Sequence, residues 1–293
     1  HYGYTVLEIE KSGFSNIFKF INYESETSME LVLAKTIEGL SQYVKQNKPD
    51  LIILHGDRVE ALAGAIVGSL NNILVAHVEG GEVSGTVDEL LRHAISKLSH
   101  LHFVANELAE RRLIQMGEDK KYVFQIGSPD IDVMLSPDLP GLSEVLNYYS
   151  IPFDDYGILA FHPVTTEVDD LADNSQNIVD AIRSIDLNIV GIYPNNDLGS
   201  HFIRETFAKG FKGLERIVFF PSIRFEYFIV LLRNARTIIG NSSAGVREAP
   251  FLGLPSVNIG SRQHRRSDAA SIISPGYQLA EIRSKSKGDK APF

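Results

Sequence analysis

A parallel α/β fold in two domains is what this sequence predicts, on three observations. Short β-branched runs recur, each ending in a polar or glycine cluster and followed by a stretch of helical periodicity, the rhythm of βαβ units. The runs are almost continuously apolar, as strands covered on both faces must be. The alternation breaks once, between Leu135 and Asp155, where Ser-Pro-Asp-Leu-Pro-Gly, a short helical stretch and Ile-Pro-Phe-Asp-Asp make a natural inter-domain connection. The expected domains are 1–140 and 151–293 of a 293-residue chain, whose 44% hydrophobic content can fill two cores.

In order, strands are expected at Leu51–Leu54, Ile73–Ala76, Tyr122–Ile126, Gly157–Phe161, Ile189–Tyr193, Ile217–Phe220 and Thr237–Ile239. Helices are expected at Met29–Gln46, Val59–Leu70, Val87–Leu98, Glu107–Met116, Asn177–Ile185, Ile203–Lys209 and Phe225–Asn234, and Ser284–Asp289 reads as a fraying polar tail. A formal net charge of -9 argues against a nucleic-acid partner, because tracking a phosphate backbone needs clustered Lys and Arg. The absence of cysteine excludes disulfides, thiolate metal sites and Cys nucleophiles, and favours a cytoplasmic location. No apolar run approaches the roughly 20 residues of a membrane-spanning helix, so no membrane partner is expected. His1 opens inside a pattern already under way, and the natural chain is expected to begin upstream.

In open parallel sheets ligands collect beyond the carboxyl ends of the strands, and the informative polar residues fall there. His55-Gly-Asp57-Arg58 and His77-Val-Glu79-Gly-Gly-Glu82 end two strands of the first half. His162-Pro-Val-Thr-Thr166, Tyr193-Pro-Asn195, Phe220-Pro-Ser222 and Gly240-Asn-Ser242-Ser243 do so in the second. A two-residue period puts His77 and Glu79 on one face if the strand persists, and His77 reads equally as a satisfied core histidine. Glu79 beside two glycines has little structural purpose. Asp57 fits either as N-cap of the helix at Val59 or, with Glu79, as one of two carboxylates whose pKa values are pushed apart for acid/base work. Asp88 follows in a loop entering a helix, where Thr86 and Glu89 would make a structural capping box.

The segment Thr237 to Glu248 reads as strand, tight turn and helix start, a metal-free diphosphate cradle of small residues, hydroxyls and a helix N-terminus. Glycine and serine loops of this kind are common. Glu248, one turn into that helix, can accept from a ribose diol, and His162, Arg58 and Arg262 suit the charge on a departing pyrophosphate.

These strings, with Arg92-His-Ala-Ile-Ser-Lys-Leu98, Gly127-Ser-Pro-Asp130 and Gly260-Ser-Arg-Gln263, closely resemble the UDP-N-acetylglucosamine 2-epimerases, in family order from Leu51 to Gln263. The Glu-Gly-Gly-Glu-Val-Ser-Gly-Thr string favours the hydrolysing branch. The resemblance implies two Rossmann-like domains arranged as in B-type glycosyltransferases, an active site in the interdomain cleft, and UDP held mainly by the second domain. It implies diphosphate ligands at Ser242, Ser243, His162, Arg58 and Arg262, a ribose ligand at Glu248, a UDP contact at Asn195, and catalytic residues at Asp57, Glu79, Asp88 and His162.

It further implies anti elimination of UDP to a 2-acetamidoglucal and syn hydration to the free 2-epimeric sugar, without metal or cofactor. The substrate is a UDP-sugar, the products include UDP, and a homodimer or homotetramer is expected. No counterpart of the family's opening strand and its Gly-Thr-Arg-like loop precedes His1, and the tail beyond Gln263 matches poorly. Three further readings compete. A metallophosphoesterase would need a His or an acidic residue where Ser242 stands. A sugar-nucleotide sensor would have lost the carboxylates that are present here. A glycosyltransferase would need an acceptor site, and the sequence reveals none.

Overall fold

The computed structural model describes residues 6–11, 13–22, 28–84, 87–164, 167, 169–194, 199–263, 266–267 and 269–277. The chain forms two compact units, one of residues 13–132 and one of residues 133–293 together with 1–12. In chain order the first elements are α1 (Val6–Lys11), α2 (Met29–Asn47), β1 (Leu51–His55), α3 (Val59–Leu70), β2 (Leu74–Val78), α4 (Val87–Lys97), β3 (Leu101–Val104), α5 (Glu107–Gln115), β4 (Val123–Gln125) and α6 (Pro129–Met134). There follow α7 (Leu142–Tyr148), β5 (Tyr156–Ala160), α8 (Leu171–Arg183), β6 (Asn188–Ile192), α9 (Ser200–Gly210), β7 (Ile217–Phe220), α10 (Phe225–Asn234), β8 (Ile238–Gly240), α11 (Glu248–Phe251), β9 (Ser256–Asn258) and β10 (Ile272–Ile273).

All strand pairs are parallel, in the orders β1-β2-β3-β4 and β10-β9-β8-β5-β6-β7. The six-stranded sheet is covered on both faces. Leu159, Ile189 and Ile239 pack with Ile178, Ile182, Ile203 and Phe207 of α8 and α9, whereas Ile158, Val190 and Ile238 pack with Leu231 and Leu232 of α10. A fully buried side chain of this size contributes about 1.5–3 kcal/mol. The second of these cores also takes in Val145 and Ile151, so the stretch around α7 is packed structure of the second unit.

The four-stranded sheet departs from the two-sided expectation at its edge. Along β1, Ile52 and Leu54 are partly covered while Leu51, Ile53 and His55 are exposed, Ile53 at 65%. Gly64 and Gly68 of α3 lie against Leu54 and Ile52, which brings that helix onto one face of the strand only. The strand at Leu101 escapes the apolar pattern because His102 stands within it, buried and 3.2 Å from Glu118. β9 escapes it because Ser256 and Asn258 flank its single apolar residue, yet all three are buried between β8 and β10. α8 begins six residues before the expected Asn177. Its first turns are masked by Asn174 and Ser175, whose buried hydroxyl bonds back to the Leu171 carbonyl at 2.6 Å.

Candidate functional site

In residues 13–132 the loops after β1, β2 and β4 meet at Glu79. This residue follows β2 with φ +64, a left-handed backbone that costs a non-glycine residue about 1–2 kcal/mol. Its N–H donates to the Phe103 carbonyl of β3 at 2.8 Å. The carboxylate is buried, accepts from Ser128 Oγ at 3.1 Å on Oε1, and lies 3.2 Å from His55 Nε2 on Oε2. Backbone strain of this kind at a buried charged residue is of the sort that collects at functional sites.

The left-handed turn ends the strand alternation at Val78, so His77 and Glu79 do not share one strand face as expected. His77 is fully buried, with Nε2 2.8 Å from the Gly56 carbonyl and Nδ1 3.0 Å from Ser96 Oγ. Nε2 must carry the proton to donate to a carbonyl, which leaves Nδ1 to accept from the hydroxyl. Burial pushes its pKa down to about 4, so the ring is a neutral core histidine that ties β2 to the turn carrying Asp57. Between pH 6.5 and 4 the unfolded chain binds a proton here that the folded chain refuses. Stability present above pH 6.5 is therefore lost as pH falls towards 4, by about 3 kcal/mol from this group. Urea unfolding at pH 7 and pH 5 should register the loss, and His77→Gln should flatten the slope.

Arg58, rather than Asp57, occupies the N-cap position of α3, with φ -82, ψ 161 and no side-chain capping bond. Asp57, one residue earlier, pairs with Arg92 of α4. Asp88 lies in the first turn of α4, four residues before Arg92 and hence on the same helix face. Glu89 Oε2 accepts from the Ser84 N–H at 2.7 Å; Thr86, expected to cap this helix, lies outside the described residues. Gly81 has φ +77, and a Cβ there would stand 2.5 Å from the Ala109 carbonyl oxygen, so only glycine lets the turn approach α5. Arg112 donates to the Gly81 carbonyl, and Asn106, which caps α5 through Ala109, donates to Glu82 at 2.8 Å.

In residues 133–293 three loops meet at Asn241, which is wholly buried. Its Oδ1 accepts from the His162 N–H at 2.7 Å and its Nδ2 donates to the His162 carbonyl at 2.8 Å, a side chain acting as a strand neighbour. Its own carbonyl accepts from Gln263 Nε2 at 3.0 Å and Arg262 Nη1 at 3.2 Å. The preceding Gly240 has φ +134, and a Cβ there would lie 2.0 Å from the Ala160 carbonyl oxygen. His162, the Ser242–Ser243 loop and Arg262 are thus tied together.

The turn differs from the expected helix start. Ser242 caps a 3-10 turn over Ser243–Gly245 through the Ala244 N–H, and α11 has only four residues, with the chain turning away at Gly253 in the left-handed region. Its dipole is accordingly small, so hydroxyls and individual amides, rather than a macrodipole, are the donors available. Glu248 heads α11 and is buried. Arg58 belongs to the other unit, and Asn195 lies outside the described residues.

Asn241, Gln263, Ser128 and Arg92 stand in the quoted strings with no role of their own read from the sequence, being polar types that usually sit in solvent. The one local signal was an Asn directly after a strand-ending glycine. Among the described residues no three His, Asp or Glu side chains are grouped to hold a metal ion, and no helix is long and apolar enough to cross a membrane.

Two parallel-sheet α/β units, each with its polar loops beyond the strands' carboxyl ends, define a fold of the B-type glycosyltransferase kind. The chain superimposes with a TM-score of 0.76 and 23% identity on the UDP-GlcNAc 2-epimerase of Methanocaldococcus jannaschii, solved with UDP-GlcNAc and UDP, covering 89% of this chain and 75% of that one. It belongs to the UDP-N-acetylglucosamine 2-epimerase family, whose model matches residues 1–288. It is 48% identical over 281 residues to the UDP-N-acetylglucosamine 2-epimerase of Neisseria meningitidis serogroup B, covering 96% of this chain and 74% of the relative. It is 38% identical over 284 residues to the hydrolyzing UDP-N,N'-diacetylbacillosamine 2-epimerase of Legionella pneumophila, covering 93% and 73%.

Proposed function

We propose that this chain is a hydrolysing UDP-N-acetylglucosamine 2-epimerase, converting UDP-GlcNAc and water to N-acetylmannosamine and UDP. The observation that carries the reading is the buried Glu79 carboxylate, held in a left-handed backbone between His55 and Ser128, with Asp57 on the neighbouring loop. In the first step a base removes the carbon-2 proton, and the C1–O bond breaks with its electron pair passing to the departing diphosphate. In the second a carboxylic acid protonates carbon 2 of the resulting 2-acetamidoglucal, while water, activated by a carboxylate, adds to carbon 1. Asp57, Glu79 and Asp88 are the proposed acid/base set. His162, Arg58, Arg262, Ser242 and Ser243 would stabilise the diphosphate, with Glu248 on the ribose and Asn195 on the nucleotide. His162 has its catalytic role there, as a donor to the leaving group.

The hydrolysing outcome is supported by the Glu-Gly-Gly-Glu-Val-Ser-Gly-Thr string and by the Legionella relative. That relative also favours a second reading, in which the sugar is a 2,4-diacetamido-trideoxyhexose. A homodimer or homotetramer in the cytoplasm belongs to the same proposal.

Incubation with UDP-GlcNAc in deuterium oxide, followed by NMR, should give free UDP and N-acetylmannosamine labelled at carbon 2. UDP-N-acetylmannosamine without free UDP would make the enzyme non-hydrolysing, and an unlabelled product would exclude elimination. Faster turnover of the diacetamido substrate would favour the second reading. Ser243→Ala and His162→Ala should each weaken calorimetric UDP binding about 10- to 100-fold, the value of one charge-assisted hydrogen bond. Unchanged affinity would remove them from the cradle.

A further inference from the structure

Arg92 carries a charge into the interior of residues 13–132, being 3% exposed on α4, and its one protein acceptor among the described residues is Asp57. Its Nε and Nη1 are buried with no hydrogen-bond partner among the described residues. A contact selected to hold α4 in place would not look like this. Removing a guanidinium from water costs several kcal/mol that one carboxylate rarely repays, and an apolar side chain would pack as well. Helix packing is already supplied by Ile95 and Leu91, which join the core with Val75 and Leu62. The ion pair therefore persists for what it does to Asp57.

That residue is constrained from two sides. The Gly56 carbonyl, one residue before it, is held at 2.8 Å by buried His77, and its carboxylate is held by Arg92. The Asp57 side chain nevertheless stays 21% exposed, so a reactant can reach it. Resting on the function proposed above, we infer that Arg92 is a positioning residue for the reaction. It fixes the direction of the Asp57 carboxylate through a planar, buried guanidinium that donates from Nη2 to Oδ2, a reach and direction that the shorter, freely rotating ammonium of lysine does not reproduce.

The test is a comparison of Arg92→Met and Arg92→Lys by kcat, KM and calorimetric UDP affinity. Misplacing a reacting group by about 1 Å costs on the order of 100-fold, so Arg92→Met should lose about 100-fold in kcat. Arg92→Lys, keeping the charge but not the reach and planarity of the guanidinium, should lose about tenfold, and both should bind UDP within about twofold of the parent. A kcat for Arg92→Met within about threefold of the parent would overturn the inference. So would a loss of UDP affinity in step with turnover, or a lysine variant no faster than the methionine one. Should Arg92→Met fail to fold, Arg92→Lys decides alone, parental kcat with parental UDP affinity being the overturning result. A parent chain that binds UDP but releases none from UDP-GlcNAc or its diacetamido relative would sink the functional reading, and this inference with it. A turning-over parent with indifferent Arg92 variants sinks this inference only.

Discussion

Glu79→Gln should turn over at least about a thousandfold more slowly than the parent chain while binding UDP as tightly. The two side chains have the same shape, so the amide can occupy the buried position and still accept from Ser128 Oγ through its carbonyl oxygen. The left-handed backbone at φ +64 is equally strained for either residue, so stability should change little on that account. What disappears is the ability to take up or give a proton, and positioned acid/base groups contribute about 10²–10⁴ in rate. UDP release coupled to a colorimetric readout, with calorimetry on the same preparation, separates the two quantities. Turnover within tenfold of the parent would remove Glu79 from the chemistry. A parallel loss of UDP affinity would make it a binding residue.

Much of this site was legible because the chemistry-bearing loops end strands whose apolar runs are unmistakable. Leu51–Leu54 announces the turn that holds His55 and Asp57, and Gly157–Phe161 announces the position of His162. Illegible were the residues that act sideways. Arg92 follows Leu90 and Leu91 in α4, and nothing in a 3.6-residue pattern says that a charged side chain turns inward to Asp57. Asn241 is equally silent, since its partners are backbone atoms 79 positions away. The two-residue period also misled at Glu79, because a strand-face argument assumes extended backbone and this residue leaves it. Where a fold departs from local rules at a polar residue, function is the usual reason, and Glu79 and Arg92 are two such departures.

The same reasoning makes Asn241→Leu the most damaging substitution expected in the second unit. Leucine keeps the branching of asparagine but is bulkier, so the change removes both polar partners and adds some overpacking at a wholly buried site. It deprives the His162 N–H and carbonyl of their partners beside a side chain that no solvent reaches. Each of the two orphaned groups costs about 1–3 kcal/mol, so about 2–6 kcal/mol of stability should be lost. Released from Asn241, the His162 loop no longer holds its register against the Ser242–Ser243 turn, and UDP affinity should fall at least about tenfold. Asn241→Asp separates the two bonds, because a carboxylate keeps the acceptor for the His162 N–H but sets an oxygen against its carbonyl. That variant should fall between parent and leucine in urea unfolding. If Asn241→Leu unfolds within about 0.5 kcal/mol of the parent and binds UDP equally well, the second unit's loops are held by something other than this side chain.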